Sequence, residues 1–396
     1  MVQRSIRQWP RTDARQGAAA RVRVRAGRPG ADAGHGPAGA GSTAPEPAAP
    51  RPAPPEPDGP EGVVPAWFMD AVFGSLAGAG QRRCARLYLE GLLGSCERKT
   101  VRSMTSCTSD LHAVQRFLNQ SPWDWQPVRE ALSDVVEQWT EPKAFVVDLA
   151  VIPRYGDRIV GVHRRSDPAG GSVNCQIALG ASCAGRDRTV PVDWYLYLNR
   201  AWGEDEEHRR RGRIPAGARQ RPVEELALRL ADKVSGRGRT GGVPVVLDLR
   251  GAGNTERAAA GLLERGTGFL LSLGAADRLR PGALRPPSRG PLVTVASPAS
   301  LGLPGAGRRR FSFLVEWSPA RDRPRKVWLT NLLDGTSDDF LALLRYRAAS
   351  GTALAALRED YGMGDFTGRS FSGWHHHMTL LSAAYALSTL ELAGPV

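Results

Sequence analysis

The strongest constraint on the fold is an apolar run that ends on a carboxylate. Residues 144–147 are apolar and largely β-branched or aromatic, and Asp148 follows them directly. Such a run, bounded by turn residues, predicts a buried strand. Because an isolated charge is costly to bury, the Asp148 carboxylate then needs a partner, a metal ion or water. The sequence therefore predicts a sheet that carries an acid on its first strand.

The residues that follow predict a β-meander. Pro153 and Gly156 are turn residues, and a second strand is predicted at residues 158–163, beside the first. A third strand is predicted at residues 173–179, after a glycine-rich turn.

A second apolar run also ends on an acid. Residues 243–247 lead to Asp248, and Gly251-Ala252-Gly253-Asn254 comes soon after. A strand, a Gly-x-Gly turn and a helix outline a dinucleotide-binding site. That pattern is matched only weakly, because Glu256 occupies the third glycine position and no clear βαβ repeat follows.

The net charge favours a polyanionic partner. The 396 residues carry a formal charge of +13, with 53 Lys and Arg against 40 Asp and Glu. Nucleic acid is the commonest partner of such a field, and the alternative is a surface that only keeps the protein in solution. Arg supplies nearly all of the charge, which is typical of a GC-rich coding sequence, so the Arg excess alone says little about function.

Composition divides the chain into three parts. Residues 1–62 are rich in Ala, Gly, Pro and Arg with few apolar clusters, so a disordered tail is predicted, and its Arg-rich start is interpreted as incidental rather than as a nucleic-acid-binding arm. Residues 63–140 predict a small helical domain. Residues 141–396 predict an α/β domain with an insertion at about 276–335, which begins with a loop rich in Pro, Gly and Arg.

Several short motifs resemble one enzyme family. They are Asp148, Pro153, Gly161-Val162, Asn174-Cys175-Gln176, and Phe117-Leu118 with Ser121-Pro122-Trp123-Asp124. Together they resemble the bacterial insertion-sequence transposases of the DDE superfamily, insertion sequence 701 group. Over residues 63–396 the resemblance implies an RNase H-like α/β core with a mixed sheet, in which residues 144–148 and 245–248 are neighbouring strands. It also implies a β-rich insertion, in which residues 308–315 and 325–330 are predicted to form a strand pair. A small helical domain that contributes to DNA binding would precede this core.

The resemblance implies three metal-binding carboxylates, of which the chain matches one directly. Asp148 takes the place of the first. Aligning the Gly-x-Gly-Asn segment places Leu249 at the second, so Asp248 is one residue early and its side chain is expected to face away. The third position falls on Ala349 or, with a two-residue gap, on Gly351.

A helix is predicted from Phe340 to about Leu357 and carries this third position, and the two acids that follow it do not replace the ligand. Glu359 and Asp360 follow two to three turns later. At about 1.5 Å rise per residue they are expected about 12–16 Å away, which is too far for a ligand.

The expected partner is double-stranded DNA. The sequence does not decide whether the protein binds the DNA as a monomer or as a homodimer. Three groups of basic residues are expected to contact phosphates. Arg98, Lys99 and Arg102 lie near a helix start, and Arg209, Arg210 and Arg211 form the triplet after Trp202. Arg345 and Arg347 belong to a segment that resembles the family's Arg-Trp-Arg. Neither a signal peptide nor a membrane span is predicted. The expected location is the cytoplasm, in association with the nucleoid.

Other groups that could bind metal are not arranged to do so. The five cysteines (Cys84, Cys96, Cys107, Cys175 and Cys183) are odd in number and lack CxxC spacing, which argues against zinc and against a disulfide framework. Consecutive residues cannot all face one ion, so His375-His376-His377 is expected to have a structural or DNA-proximal role.

Two functions remain open at this point. DDE enzymes hold two divalent metal ions about 3.5–4 Å apart with three carboxylates, and the loss of two carboxylates should abolish such a site. The favoured hypothesis is a transposase-derived DNA-binding protein without a cofactor, either a decayed copy or one recruited to a host role. The alternative is an active transposase that uses Mg²⁺, with Asp148, Asp248 and either Glu359 or Asp360 as ligands.

Overall fold

The structure, a computed structural model, describes residues 63–105, 108–166, 171–236, 242–249, 251–273, 286–287, 293–296, 311–320 and 322–391. All of them belong to the same structural unit of the chain. The predicted disordered tail at 1–62 and most of the predicted loop at 276–310 lie outside the described residues. Within the described part, none of the helices combines the length and the apolar character that a membrane span requires.

Five helices precede the sheet in the described residues. They are α1 (Ala66–Phe73), α2 (Ala79–Leu93), α3 (Val101–Met104), α4 (Thr108–Asn119) and α5 (Trp125–Thr140). Asp124 begins α5 by accepting a hydrogen bond from the backbone N–H of Gln126 at 2.9 Å, as a helix-capping carboxylate does. The helical structure predicted for residues 63–140 is confirmed.

Nine strands of the described chain form one mixed sheet. They are β1 (Ala144–Pro153), β2 (His163–Ser166), β3 (Ser172–Ala184), β4 (Thr189–Leu196), β5 (Val245–Asp248), β6 (Phe269–Ser272), β7 (Val293–Ala296), β8 (Ser312–Trp317) and β9 (Pro324–Thr330). Their order is β2-β3-β1-β5-β6-β9-β8-β7, and β4 also pairs with β3. The neighbours β1, β5 and β6 are parallel, and the other pairs are antiparallel.

Helices cover both faces of the central strands. The later helices are α6 (Arg200–Glu204), α7 (Glu206–Gly212), α8 (Val223–Ser235), α9 (Thr255–Glu264), α10 (Ser337–Glu359) and α11 (Phe371–Glu391). Side chains of a strand alternate between faces. On β1, Phe145 and Val147 join a core cluster that includes α8, whereas Val146 joins a cluster with Phe340 of α10. The helices α8 and α10 therefore pack on opposite faces.

The central prediction about the sheet is confirmed. β1 and β5 are parallel neighbours, with Phe145 opposite Val245 and Asp148 opposite Asp248. The two apolar runs that end on acids are thus adjacent strands of one sheet. The mixed sheet with its helices is consistent with the predicted RNase H-like fold.

The predicted strand at residues 158–163 is wrong, because the chain turns there. The N–H of Val162 donates to the carbonyl oxygen of Ile159 at 3.1 Å, and β2 begins only at His163. Gly161 in this turn has a φ of 75°, a left-handed conformation that glycine adopts at little cost.

The strand pair predicted before the late helix is confirmed. β8 and β9 pair antiparallel, and β9 also pairs with β6. The segment that carries them therefore extends the central sheet. This extension brings a lysine of β9, Lys326, to the end of β5.

Candidate functional site

Asp148 and Asp248 lie side by side on the two central parallel strands. They are register partners, and partners on neighbouring strands point to the same face of a sheet. Their exposed fractions are only 1% and 0%. The prediction that Asp248 faces away is therefore wrong. The error has a local cause. β5 ends at Asp248, so Leu249, which the glycine alignment matched to the second acid, lies beyond the strand.

Two cations hold the carboxylate of Asp248. Its Oδ2 accepts a hydrogen bond from Nζ of Lys326 on β9 at 2.6 Å and from Nε of Arg347 on α10 at 2.8 Å. Nη2 of Arg347 donates to the same oxygen. The side chains of Lys326 and Arg347 are only 21% and 28% exposed. Charge-assisted hydrogen bonds are stronger than neutral ones, so Asp248 is fixed by a double ion pair.

Three carboxylates set the potential at these two cations. Burial lowers the pKa of Lys326, and Asp248 opposes that shift. Burial also acts to lower the pKa of Arg347, but Asp248 and then Asp148 outweigh it, so this pKa is raised and the guanidinium stays charged. Glu316, the register partner of Lys326 on β8, adds negative potential at both cations.

Helix α10 lies over this pair of acids. Ser350 on α10 is within hydrogen-bonding distance, 3.2 Å, of Ser182 on β3. Residues four apart share a face of a helix, so Gly351 lies on the face of Arg347, whereas Ala349 lies about 200° round the axis. A Cβ at Gly351 would have no heavy atom within 4 Å. The position on α10 from which a third ligand would reach the two acids is therefore a glycine with empty space beside it.

The acids at the end of α10 do not join Asp148 and Asp248. Glu359 and Asp360 are exposed. Along the helix axis, Glu359 lies about 18 Å from Arg347 at about 1.5 Å per residue. Among the residues that the structure describes, no three His, Cys, Asp or Glu side chains are grouped so as to hold a metal ion.

A cleft of about 860 Å³ opens between the N-terminal helices and the loop that joins α10 to α11. Its walls come from α3, α4, the end of α7 and residues 365–370. Six basic side chains and one acidic side chain line it, and we call it the basic cleft. The basic residues are Lys99, Arg102, Arg116, Arg211, Arg213 and Arg369, and the acid is Asp365.

Comparison with known families agrees with this fold. A family model described as a DDE superfamily endonuclease matches residues 71–294, which is more than half of the chain. The chain belongs to the DDE superfamily. The matched segment contains both Asp148 and Asp248 and ends before β8, β9 and α10. A search of the curated proteins found no match.

Nucleases of the DDE superfamily typically use divalent metal ions, and the side chains present here do not fit one. Such ions are bound by several converging oxygen atoms. Asp148 and Asp248 supply two carboxylates, but Lys326 and Arg347 already hold one of them and would repel a cation. The helix position that could add a third carboxylate holds Gly351.

The predicted DNA-binding residues of this DDE protein fall into three groups. Lys99, Arg102 and Arg211 line the basic cleft, where Lys99 is buried and its Nζ donates to the carbonyl oxygen of Gly94. Arg98, Arg210 and Arg345 are exposed outside its lining. Arg209 and Arg347 are turned inward, because Arg209 donates to carbonyl groups of its own loop and Arg347 binds Asp248. The last two side chains are thus engaged within the protein.

Three cleft residues were missed by sequence reasoning. Arg116 lies on α4, Arg213 ends α7, and Arg369 precedes α11. They are far apart in the chain, so no local spacing links them. Arg116 directly precedes the Phe117-Leu118 motif that resembles the family's helical domain, and that was its only signal.

Buried polar contacts fix one wall of the basic cleft. Arg154, just after β1, donates to the carbonyl oxygens of Gly364 and Phe366 at 2.6 and 3.0 Å. On α11, Nδ1 of His377 lies 2.9 Å from the hydroxyl of Tyr88 on α2. The His377 ring stacks on Phe366, with ring centroids 4.9 Å apart. The loop is therefore held by both β1 and α11.

The histidine run of α11 has a structural role. His375 stacks on Trp125 and His376 on Trp123, with centroids 4.6 and 3.9 Å apart. Burial lowers the pKa of His375 well below its ordinary value, that of His376 to about 4 and that of His377 to about 3. These rings are therefore neutral near pH 7 and pack as aromatic groups.

Proposed function

We propose that this DDE-superfamily protein binds double-stranded DNA and does not cut it. In this proposal it derives from transposases of the insertion sequence 701 group, as a decayed copy or one recruited to a host role, and acts on the nucleoid in the cytoplasm. The observation that carries the proposal is the double ion pair of Asp248 with Lys326 and Arg347.

The ion pairs compensate the charge on which a metal site depends. Asp148 and Asp248 contribute two negative charges, and Lys326 and Arg347 contribute two positive charges, so these four groups sum to zero. A two-metal nuclease instead needs carboxylates that clamp cations on both sides of the reacting phosphate. Breaking a buried ion pair by removing one partner costs about 3–5 kcal/mol, so the paired state is strongly favoured.

The face of α10 supports the same conclusion. Gly351 is the residue that shares the face of Arg347, and glycine supplies no oxygen from a side chain. A Cβ at this position would meet no heavy atom within 4 Å. A site that lost this ligand lacks the third carboxylate that the chemistry requires.

Charge supports DNA as the partner. The chain carries a formal charge of +13, and six basic side chains converge in one cleft. We assign residues 63–140 to a DNA-binding helical domain and residues 141–396 to the RNase H-like domain, with its insertion at about 276–335. A homodimer on the DNA is compatible with this assignment. Binding should weaken steeply with salt, because Lys and Arg release counterions from the phosphates.

A second candidate function is an active DDE transposase that cleaves and transfers DNA strands with Mg²⁺. The register of Asp148 and Asp248 favours it, because two adjacent carboxylates on one face are the start of a metal site. It would require Lys326 and Arg347 to leave Asp248 and a further ligand to arrive.

Cleavage assays separate the two functions. On labelled terminal-repeat duplexes with Mg²⁺ or Mn²⁺, we expect no nicking and no strand transfer by the wild-type protein. Asp148→Ala should leave DNA affinity unchanged or slightly higher, because it removes a negative charge from a nucleic-acid-binding protein. Metal-dependent cleavage that Asp148→Ala abolishes would overturn the proposal. If Asp248→Ala abolished it as well, the active transposase would take its place.

A further inference from the structure

The basic cleft joins three parts of the chain that sequence spacing keeps apart. We infer that it holds the phosphodiester backbone of one DNA strand, an inference that rests on the proposed DNA binding and names its surface. The contacts would come from α3 and α4, from the end of α7, and from the loop before α11.

The charge of the cleft fits a chain of phosphates. Five exposed arginines line the cleft, together with Lys99, which is buried and whose Nζ donates to the carbonyl oxygen of Gly94. The one acid of the cleft is Asp365, whose Oδ2 accepts a hydrogen bond from the backbone N–H of Lys99 at 2.7 Å. Arg102, Arg116 and Arg369 are exposed, so their guanidinium groups are available to a ligand. Exposed Arg side chains along a groove are the usual means of binding the nucleic-acid backbone without reading its sequence.

Arg213 provides an independent observation. It ends α7 in the left-handed conformation, with φ 48° and ψ 47°. Glycine is preferred at such a helix end, because a Cβ is strained there. Backbone strain of this kind is found at functional sites, although Glu141 ends α5 in the same conformation. Nη1 of Arg213 lies 3.5 Å from the carbonyl oxygen of Asn119, at the end of α4, so the side chain connects two elements of the cleft lining.

The cleft lies apart from the two central acids. Arg154 fixes the cleft wall, and it follows Asp148 by six residues along β1. At about 3.3 Å per strand residue, the Cα atoms of Asp148 and Arg154 are about 20 Å apart. DNA bound in the cleft is therefore held by its own set of contacts, and replacing Asp148 should leave its affinity unchanged or only slightly higher.

Substitutions in the cleft test this assignment. The affinity for a short, fluorescently labelled blunt duplex is measured by anisotropy between about 50 and 200 mM salt. Arg116→Ala, Arg369→Ala and Arg213→Gly should each reduce the slope of log affinity against log salt by about one. The three together should reduce it by about three. Arg257→Ala is the control, since Arg257 is exposed on α9, which contributes nothing to the cleft.

Arg213→Gly separates binding from folding. Glycine relieves the left-handed backbone, so the melting temperature should equal or exceed that of the wild type, and lost affinity cannot then result from unfolding. If the wild type binds with a steep salt dependence and the cleft variants match Arg257→Ala, the cleft assignment is overturned and the proposed DNA binding stands. If the wild type binds no duplex, the proposed function fails, and this inference fails with it.

Discussion

Replacing Asp248 by Asn removes one charge from the centre of the sheet and keeps the shape of the side chain. Asp248 is fully buried, and Lys326 and Arg347 both donate to it. After the substitution, two positive groups remain beside a neutral amide. Removing one partner of a buried ion pair costs about 3–5 kcal/mol. Because the two cations are 21% and 28% exposed, water compensates part of the loss, and we expect about 3 kcal/mol.

The sign of this change distinguishes a structural ion pair from a vacant metal site. Two carboxylates that are kept together for a metal repel each other, so neutralising one of them should stabilise the fold. With Lys326 and Arg347 in place, attraction exceeds the repulsion between Asp148 and Asp248. The free energy of unfolding should therefore fall in Asp248→Asn.

Urea unfolding in the presence of EDTA, followed by tryptophan fluorescence, measures the change. The midpoint should fall while the slope of the free energy with urea stays the same, since the surface exposed on unfolding is unchanged. Asp334→Asn, the same substitution at an exposed position before α10, should shift the free energy by less than about 0.5 kcal/mol. An Asp248→Asn midpoint equal to or above that of the wild type would refute the ion-pair reasoning.

Two further predictions use the same measurement. Gly180→Ala should lower the free energy of unfolding by about 1–3 kcal/mol, because its Cβ would lie 2.6 Å from the buried indole ring of Trp194. Gly351→Ala should raise it by about 0.5–1 kcal/mol, because its Cβ would meet no neighbour and alanine favours the helix. Acid should destabilise the fold. The pKa of His376 is about 4 and that of His377 is about 3, against an ordinary value of 6.5. Below pH 6.5 the unfolded chain therefore binds more protons than the folded chain, and stability falls as the pH falls. Each ring should contribute about 1.4 kcal/mol per pH unit between about pH 6 and 4, and His377→Gln should make the measured slope shallower by that amount.

The continuous apolar runs were enough to predict the central strands as neighbours, but not their register. Residues 144–148 and 245–248 were predicted as neighbouring strands, and they are. Which residues stand opposite each other depends on where both strands begin and on what packs around them. The glycine motif after Asp248 suggested a register one residue off, and a shift of one residue reverses the face of every side chain.

The residues that form the site were harder to predict from the sequence than the strands of the sheet. Lys326 and Arg347 reach Asp248 across 78 and 99 residues. Arg347 was predicted to contact DNA. The prediction missed its contact with Asp248, because an Arg-x-Arg segment on a helix does not indicate which of its side chains faces the core. The residues of the basic cleft are separated still further, and only folding of the whole chain brings them together.

The contact between α2 and α11 has a consequence for how the protein is made. Tyr88 and His377 are 289 residues apart in the chain, so the first helices leave the ribosome long before their partner is synthesised. Until then the apolar side chains of α2 that pack on α11 are exposed to water, and exposed apolar surface in unfinished chains promotes aggregation. A polypeptide that ends before Phe371 lacks this partner permanently. Truncated products should therefore accumulate poorly in the cell, and only a chain extended through α11 would escape chaperones and proteases.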